Sequence, residues 1–224
     1  MSTKEIEMSK GSSNQDTRVN YAALTPHTPY ITSWSEERDP AYRLVERRGL
    51  GIAYLDETLH DRDDKGVLWY RTPFRPGHGE PVFGKVHPFR QRRAMRRLLC
   101  QVCAGPADQT SEGILWLLKD HREDWPGWPE NMAVTEPPVC LPCVRIASRL
   151  CPALRKGAVT IRVRQAPVSG VRGTLYRRGD LVPVAMDEAT IPYDDPAIRW
   201  VRAASLVREL HDCTIVEVAD LCRS

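Results

Sequence analysis

Leu99-Cys100-Gln101-Val102-Cys103 is answered, after a 36-residue insert, by Cys140-Leu141-Pro142-Cys143, and these two short stretches govern how the chain reads. Two residues between thiolates let one tight turn present both sulfurs to a single ion. Two such turns complete a closed tetrahedral shell, the arrangement that structural Zn²⁺ prefers, so Cys100, Cys103, Cys140 and Cys143 are the expected metal ligands. Four thiolates leave no open coordination position. The expected zinc is therefore a fold element and not a Lewis-acid catalyst, and its binding energy is part of the folding energy of this region. A redox dithiol and buried free thiols are the competing readings. No thioredoxin-like βαβ context surrounds either pair, and two matching pairs argue against unrelated thiols. Cys151, Cys213 and Cys222 lack partners at ligand spacing and read as small buried hydrophobes.

Working outward, Phe89 to Leu99 contains no Gly or Pro and predicts a helix. It offers Phe89, Met95, Leu98 and Leu99 for burial, with Arg92/Arg96 and Arg93/Arg97 paired at i, i+4 outside. After Cys103, Ala-Gly-Pro makes a turn. Gly113-Ile-Leu-Trp-Leu-Leu118 is a fully apolar run that predicts a buried strand, and Asp124-Trp-Pro-Gly-Trp-Pro129 is an aromatic and proline loop. Cys140 to about Leu154 has helical spacing, ended or kinked by Pro152. The first pair precedes a Gly-Pro turn and the second begins a helix, and that combination resembles a treble clef.

The flanks read as short strands. Tyr30–Trp34, Gly51–Leu55 and Gly66–Tyr70 alternate apolar and polar residues, and Arg71 to Pro88, with four prolines and three glycines, predicts a packed loop. Beyond the second pair, Ala158–Val163, Gly173–Tyr176 and Leu181–Val184 suggest a hairpin or three-stranded sheet. Asp195-Pro196 is a cap followed by a first-turn proline. It predicts a helix whose buried stripe is Trp200, Ala203, Ala204, Val207 and Leu210, with a last strand at Thr214 to Val218. The expected class is α+β: a small four-cysteine treble-clef zinc module flanked by short β-hairpins or sheets and a C-terminal helix. The segments are a disordered tail at 1–29, a β-rich region at 30–88, the zinc module at 89–156, and a hairpin plus helix at 157–224.

With 42% hydrophobic and 27% charged residues among 224, a mostly disordered chain is excluded. The longest apolar stretch, Ile114 to Leu118, is far short of the roughly 20 residues that cross a bilayer, and Met1 to Asn20 lacks an apolar signal core. The sequence thus predicts no membrane partner and a cytoplasmic protein, which suits metal-bound thiolates.

The formal net charge of +3 conceals segregation. Residues 81–107 carry six basic residues and no acid, and 137–179 carry nine basic residues and no acid. The intervening segment 108–136 and the end 180–224 are each −5, while 1–80 is −2. Arginine predominates in both basic blocks, and its planar fork suits phosphate or carboxylate. DNA or RNA is the expected partner, with Arg90, Arg92, Arg93, Arg96, Arg97, Arg145, Arg149, Arg162 and Arg164 as candidate phosphate contacts. An acidic protein meeting a zinc-stapled adaptor is the alternative, and internal cancellation by the acidic segments is the bland one.

Within Leu99 to Leu154 the chain also resembles the HNH endonuclease module. Asp120-His121 follows the apolar strand, Glu130-Asn131-Met132 resembles that family's Glu-Asn-Leu element, and Cys140-Leu-Pro-Cys143 matches the second knuckle. The resemblance implies that Asp120 helps hold a catalytic Mg²⁺ or Mn²⁺, that His121 activates water, and that Asn131 orients His121. The chain departs from the pattern after the second knuckle, where Val144-Arg-Ile-Ala-Ser148 stands in place of a second metal-holding residue. The eight residues between Asn131 and Cys140 also exceed the family's usual spacing. Since Mg²⁺ wants more oxygen ligands than one carboxylate, the expectation is a degenerate nuclease site inside a zinc-stabilised nucleic-acid-binding protein, with a metal-dependent HNH-type nuclease as the alternative. Neither a phosphate-cradling glycine loop nor a nucleophile elbow is present. In its arginine, proline and tryptophan usage the whole chain loosely resembles cytoplasmic proteins of high-GC actinomycetes.

Overall fold

A computed structural model describes residues 28–151, 154 and 157–217. The expected tail at 1–29 and Cys222 therefore lie almost wholly outside the described residues. The apolar run becomes a strand, Gly113–Lys119, buried on both faces: Ile114, Trp116 and Leu118 enter one core cluster while Leu115 and Leu117 enter another. Alternation at period two explains why no polar residue interrupts it.

In chain order the strands are β1 (Thr32–Trp34), β2 (Leu44–Arg47), β3 (Gly51–Tyr54), β4 (Leu68–Trp69), β5 (Pro81–Val86) and β6 (Gln109–Thr110). They continue with β7 (Gly113–Lys119), β8 (Met132–Val134), β9 (Ala158–Gln165), β10 (Val168–Arg177), β11 (Val184–Pro192) and β12 (Val201–Val216). Two helices stand among the described residues, α1 (Pro88–Arg97) and α2 (Leu141–Leu150). Eight strands form one sheet along the path β11-β10-β12-β9-β7-β6, with β4 and β8 also paired to β12. β9 and β10 face β12 in antiparallel succession, from Val216 opposite Thr160 to Val201 opposite Leu175, with register shifts between Val168 and Gly170 and between Arg172 and Gly173. Smaller pairs, β1-β5 and β2-β3, complete the strands.

The predicted C-terminal helix is not formed. Asp195 does cap Ala197 N–H through its side chain, but the turn it opens is a five-residue 3₁₀ segment, Pro196–Trp200, and Val201 onward is β12. The helical stripe was real as spacing and wrong as geometry, because burial along Val201 to Leu210 falls on both faces of an extended strand. Tertiary pairing overrides the weak helical preference of this segment. Thr214 to Val216, expected as a separate strand, is the far end of β12. Part of the predicted loop at 71–88 is β5, an exposed strand pairing β1. Leu181 and Val182, expected in a strand, stand exposed at the tip before β11.

Polar side chains lock α1 onto the sheet. Gln91 acts as a surrogate strand: its Nε2 donates to Leu206 O at 2.9 Å and Thr135 O at 2.7 Å, and its Oε1 accepts from Leu206 N–H at 2.9 Å. Arg208 of β12 donates from Nε and Nη2 to Met95 O, at 3.0 and 2.7 Å, placing a cation on the carbonyl end of α1. No helix among the described residues is long and apolar enough to cross a membrane.

Candidate metal centre

The end of α1 sets up the first knuckle. Leu98 takes a left-handed conformation, φ 51°, and its N–H closes on Ala94 O, so the chain leaves the helix two residues before Cys100. Cys100 N–H donates to Gly105 O at 2.7 Å, Ala104 N–H donates to Cys100 O at 2.9 Å, and Val102 N–H points at Cys100 Sγ at 3.4 Å. The second pair sits at the start of α2, with Cys140 as its N-cap residue and Cys143 in its first turn. The Cys143 N–H favours thiolate at Cys140, but the neighbouring sulfurs and burial outweigh it.

Backbone clamps bring the two pairs together. Gln101 N–H donates to Pro138 O at 3.0 Å, Asp108 N–H to Val139 O at 3.0 Å, and Val139 N–H to Leu115 O of β7 at 2.9 Å. Pro137, Pro138 and Val139 are buried, so the end of the long Asn131–Cys140 interval is a strap across the site. Beneath it, Cys100, Cys143, Leu115, Leu117, Val139 and Val144 form one apolar cluster.

The four Sγ atoms of Cys100, Cys103, Cys140 and Cys143 all lie within 4.8 Å of one another. Cys103 Sγ and Cys140 Sγ are 3.7 Å apart. That is too far for a disulfide, whose sulfurs are about 2 Å apart. It matches the edge of a tetrahedron with Zn–S bonds of about 2.3 Å, which is about 3.8 Å. The thiols perturb one another strongly: hydrogen bonding with Cys100 lowers Cys103, hydrogen bonding with Cys100 also raises Cys140, and burial pushes Cys143 up to about 12. Four sulfurs this close cannot all ionise without a cation between them, and the donor set, four sulfurs within 4.8 Å of one another, fits zinc.

The residues implied by the HNH resemblance are each engaged locally. Asp120 is held by Arg122, whose Nη2 lies 2.7 Å from Oδ2, and this hydrogen bond keeps the carboxyl below its usual range. His121 pairs with Asp124 through Nδ1. Asn131 Oδ1 meets His211 Nδ1 of β12 at 3.0 Å, a partner 80 residues away that no sequence signal indicated. Its neighbour Glu130 accepts from Asp212 N–H and Cys213 N–H. Asn131 is thus fixed to β12, and its recorded partner is not His121.

The arginines divide into buried and exposed groups. Arg90 is fully buried in a pair with Glu37, donating to its two carboxylate oxygens at 2.6 Å each, and takes no part in a surface. Arg162 is buried beside Asp108. These two leave the candidate phosphate contacts, because acids that are distant in sequence reach them. Arg96 pairs with Asp63 and Asp64, and Arg93 donates to Tyr30 Oη. Arg97, Arg145, Arg149 and Arg164 are exposed, and Arg92 stacks over Trp69 with its guanidinium 4.3 Å from the ring centroid. Of the remaining cysteines, Cys213 is half-buried against the core cluster of β7 and β9, and Cys151 is half-buried at the end of α2.

No family model, no curated protein and no solved structure matches the chain.

Proposed function

We propose that this chain is a zinc-stapled nucleic-acid-binding protein, in which one structural Zn²⁺ on Cys100, Cys103, Cys140 and Cys143 fastens α1, the β6-β7 hairpin and α2 together. A knuckle, a hairpin and a helix carrying the second pair are the parts of a treble clef, and their order here supports that reading. The single observation that carries the proposal is the convergence of four sulfurs within 4.8 Å in a segment whose flanks are acid-free and arginine-rich. Arg97 lies three residues before Cys100, and Arg145 and Arg149 project one turn apart from the helix that Cys140 caps. Such a group supplies affinity for phosphates and little sequence discrimination.

The test is a salt titration of binding to duplex and single-stranded oligonucleotides, with zinc content measured on the same material. Binding should weaken steeply with salt, and replacing Arg97, Arg149 and Arg164 by Gln should lower the slope of log K against log salt by roughly 0.7 to 0.9 per arginine that contacts phosphate. Failure of both nucleic acids to bind at low salt would contradict the proposal and favour an adaptor that meets an acidic protein. Plasmid cleavage with Mg²⁺ or Mn²⁺ is not expected, because Asp120, His121 and Asn131 are tied to Arg122, Asp124 and His211.

A further inference from the structure

At the start of α1, on the helix that leads into the first knuckle, a cleft is lined by Trp69, Tyr70, Phe74, Phe89, Arg71 and Arg92 among others. Phe74 and Phe89 are about half exposed and meet edge to face, with centroids 5.8 Å apart. Arg71 is committed to Asp61 and Asp56. Arg92 differs: its guanidinium carbon sits over Trp69, 4.3 Å from the ring centroid, and no carboxylate or carbonyl accepts from it among the described residues. Burial, followed by the charge of Arg96, destabilises that cation, so an anion arriving at the cleft would gain an uncommitted fork of donors.

We infer that this cleft binds a nucleotide, with the base against the Phe74 and Phe89 rings and the phosphate on the Arg92 guanidinium. An aromatic wall beside an unpaired guanidinium selects a planar group that carries an anion. Exposed aromatic rings next to arginine are the usual platform for unpaired bases and are unsuited to a paired duplex. The inference deepens the nucleic-acid reading and rests on it for the source of the nucleotide, a single strand. Asp61, which also lines the cleft, is paired to Arg71, and Asp63 is bonded to Trp69 and Arg96, so neither carboxylate bonds to Arg92, although Asp63 and Asp64 lend its charge some support from a distance.

The experiment uses the zinc-loaded full chain and two probes, AMP by calorimetry and a short oligodeoxyadenylate by fluorescence anisotropy. AMP should bind, and Phe89→Ala and Arg92→Gln should each weaken it roughly tenfold while zinc content and circular dichroism stay unchanged. Benzoate should bind far more weakly than AMP. No AMP binding, or AMP and benzoate binding alike, would overturn the assignment of a nucleotide. The same two variants should weaken the oligonucleotide tenfold. If they alter AMP alone, the single strand is overturned as the source. If no oligonucleotide binds while AMP does, the wider nucleic-acid reading fails and the cleft survives it.

Discussion

Glu37 and Arg90 are the residues on which the α1 end of the molecule depends most. Burial alone would raise the Glu37 carboxyl, but hydrogen bonds from Arg90 and from the amides of Trp34 and Arg75 outweigh it and hold the group below its ordinary value. His87, 3.7 Å from the same carboxylate, is pushed down by burial and then by Arg90, and so stays neutral in the folded chain. Both shifts act in the same direction. The unfolded chain takes up a proton at His87 as pH falls below about 6.5, and at Glu37 below about 4.5, before the folded chain does. Stability should therefore be full near neutral pH, decline from about pH 6.5 downward, and fall further as pH drops through the folded Glu37 value. A flat profile between pH 7 and pH 4 would contradict this. Glu37→Gln leaves the Arg90 cation buried without its partner and should cost roughly 3 to 5 kcal/mol in denaturant unfolding at pH 7. At the sulfurs, Cys103→Ser should leave less than a tenth of the zinc that the parent chain holds, read by elemental analysis after dialysis.

Among the elements, β12 organises the sheet and was the least legible in the sequence. Its spacing at Trp200, Ala203, Ala204, Val207 and Leu210 fits a helix as well as a two-sided strand, and the Asp195-Pro196 cap favoured the wrong choice. What settles it is non-local: β9 and β10 on one edge, β4 and β8 on the other, and the Gln91 amide bonded to Leu206. No local pattern encodes those partners. β7, by contrast, was legible because a strand buried on both faces must be apolar throughout; α1 was legible from a run free of Gly and Pro, and α2 from its helical spacing. Within the site the four cysteines could be read by spacing alone, whereas the fates of Arg90, Arg162 and Asn131 were set by Glu37, Asp108 and His211, each about 50 residues away or more. Gln91→Ala should leave the Leu206 N–H and carbonyl unpaired, costing roughly 1 to 3 kcal/mol. In a chain of this size that lowers Tm by about 2 to 4 °C per kcal/mol. Gly173→Ala probes the β10-β12 contact directly, since a Cβ there would fall 2.1 Å from Arg202 O and 2.7 Å from Ala203 Cα. We expect it to destabilise by about 1 to 3 kcal/mol or more, read as a lower midpoint in urea. An unchanged midpoint would mean that the strands are not packed as described.

For the whole molecule, the four-cysteine centre lies where loss of a bound metal would have wide consequences. The sulfurs share a cluster with Leu115 and Leu117 of β7, β7 pairs β9, and β9 pairs β12. Through the clamps at Gln101, Asp108 and Val139 a bound ion would hold the end of α1 and the start of α2 against the β6-β7 hairpin of the sheet. Chelation should therefore lower the unfolding temperature of the full chain and weaken oligonucleotide binding together, because the exposed arginines Arg97, Arg145 and Arg149 lie close to the ligands in the chain. The most direct measurement is X-ray absorption at the zinc edge on the purified chain, with metal counted per polypeptide. The account predicts one zinc per chain with four sulfur neighbours at about 2.3 Å. A chain that holds no metal yet unfolds at the same temperature with and without chelator, or a zinc surrounded by oxygen and nitrogen, would contradict it.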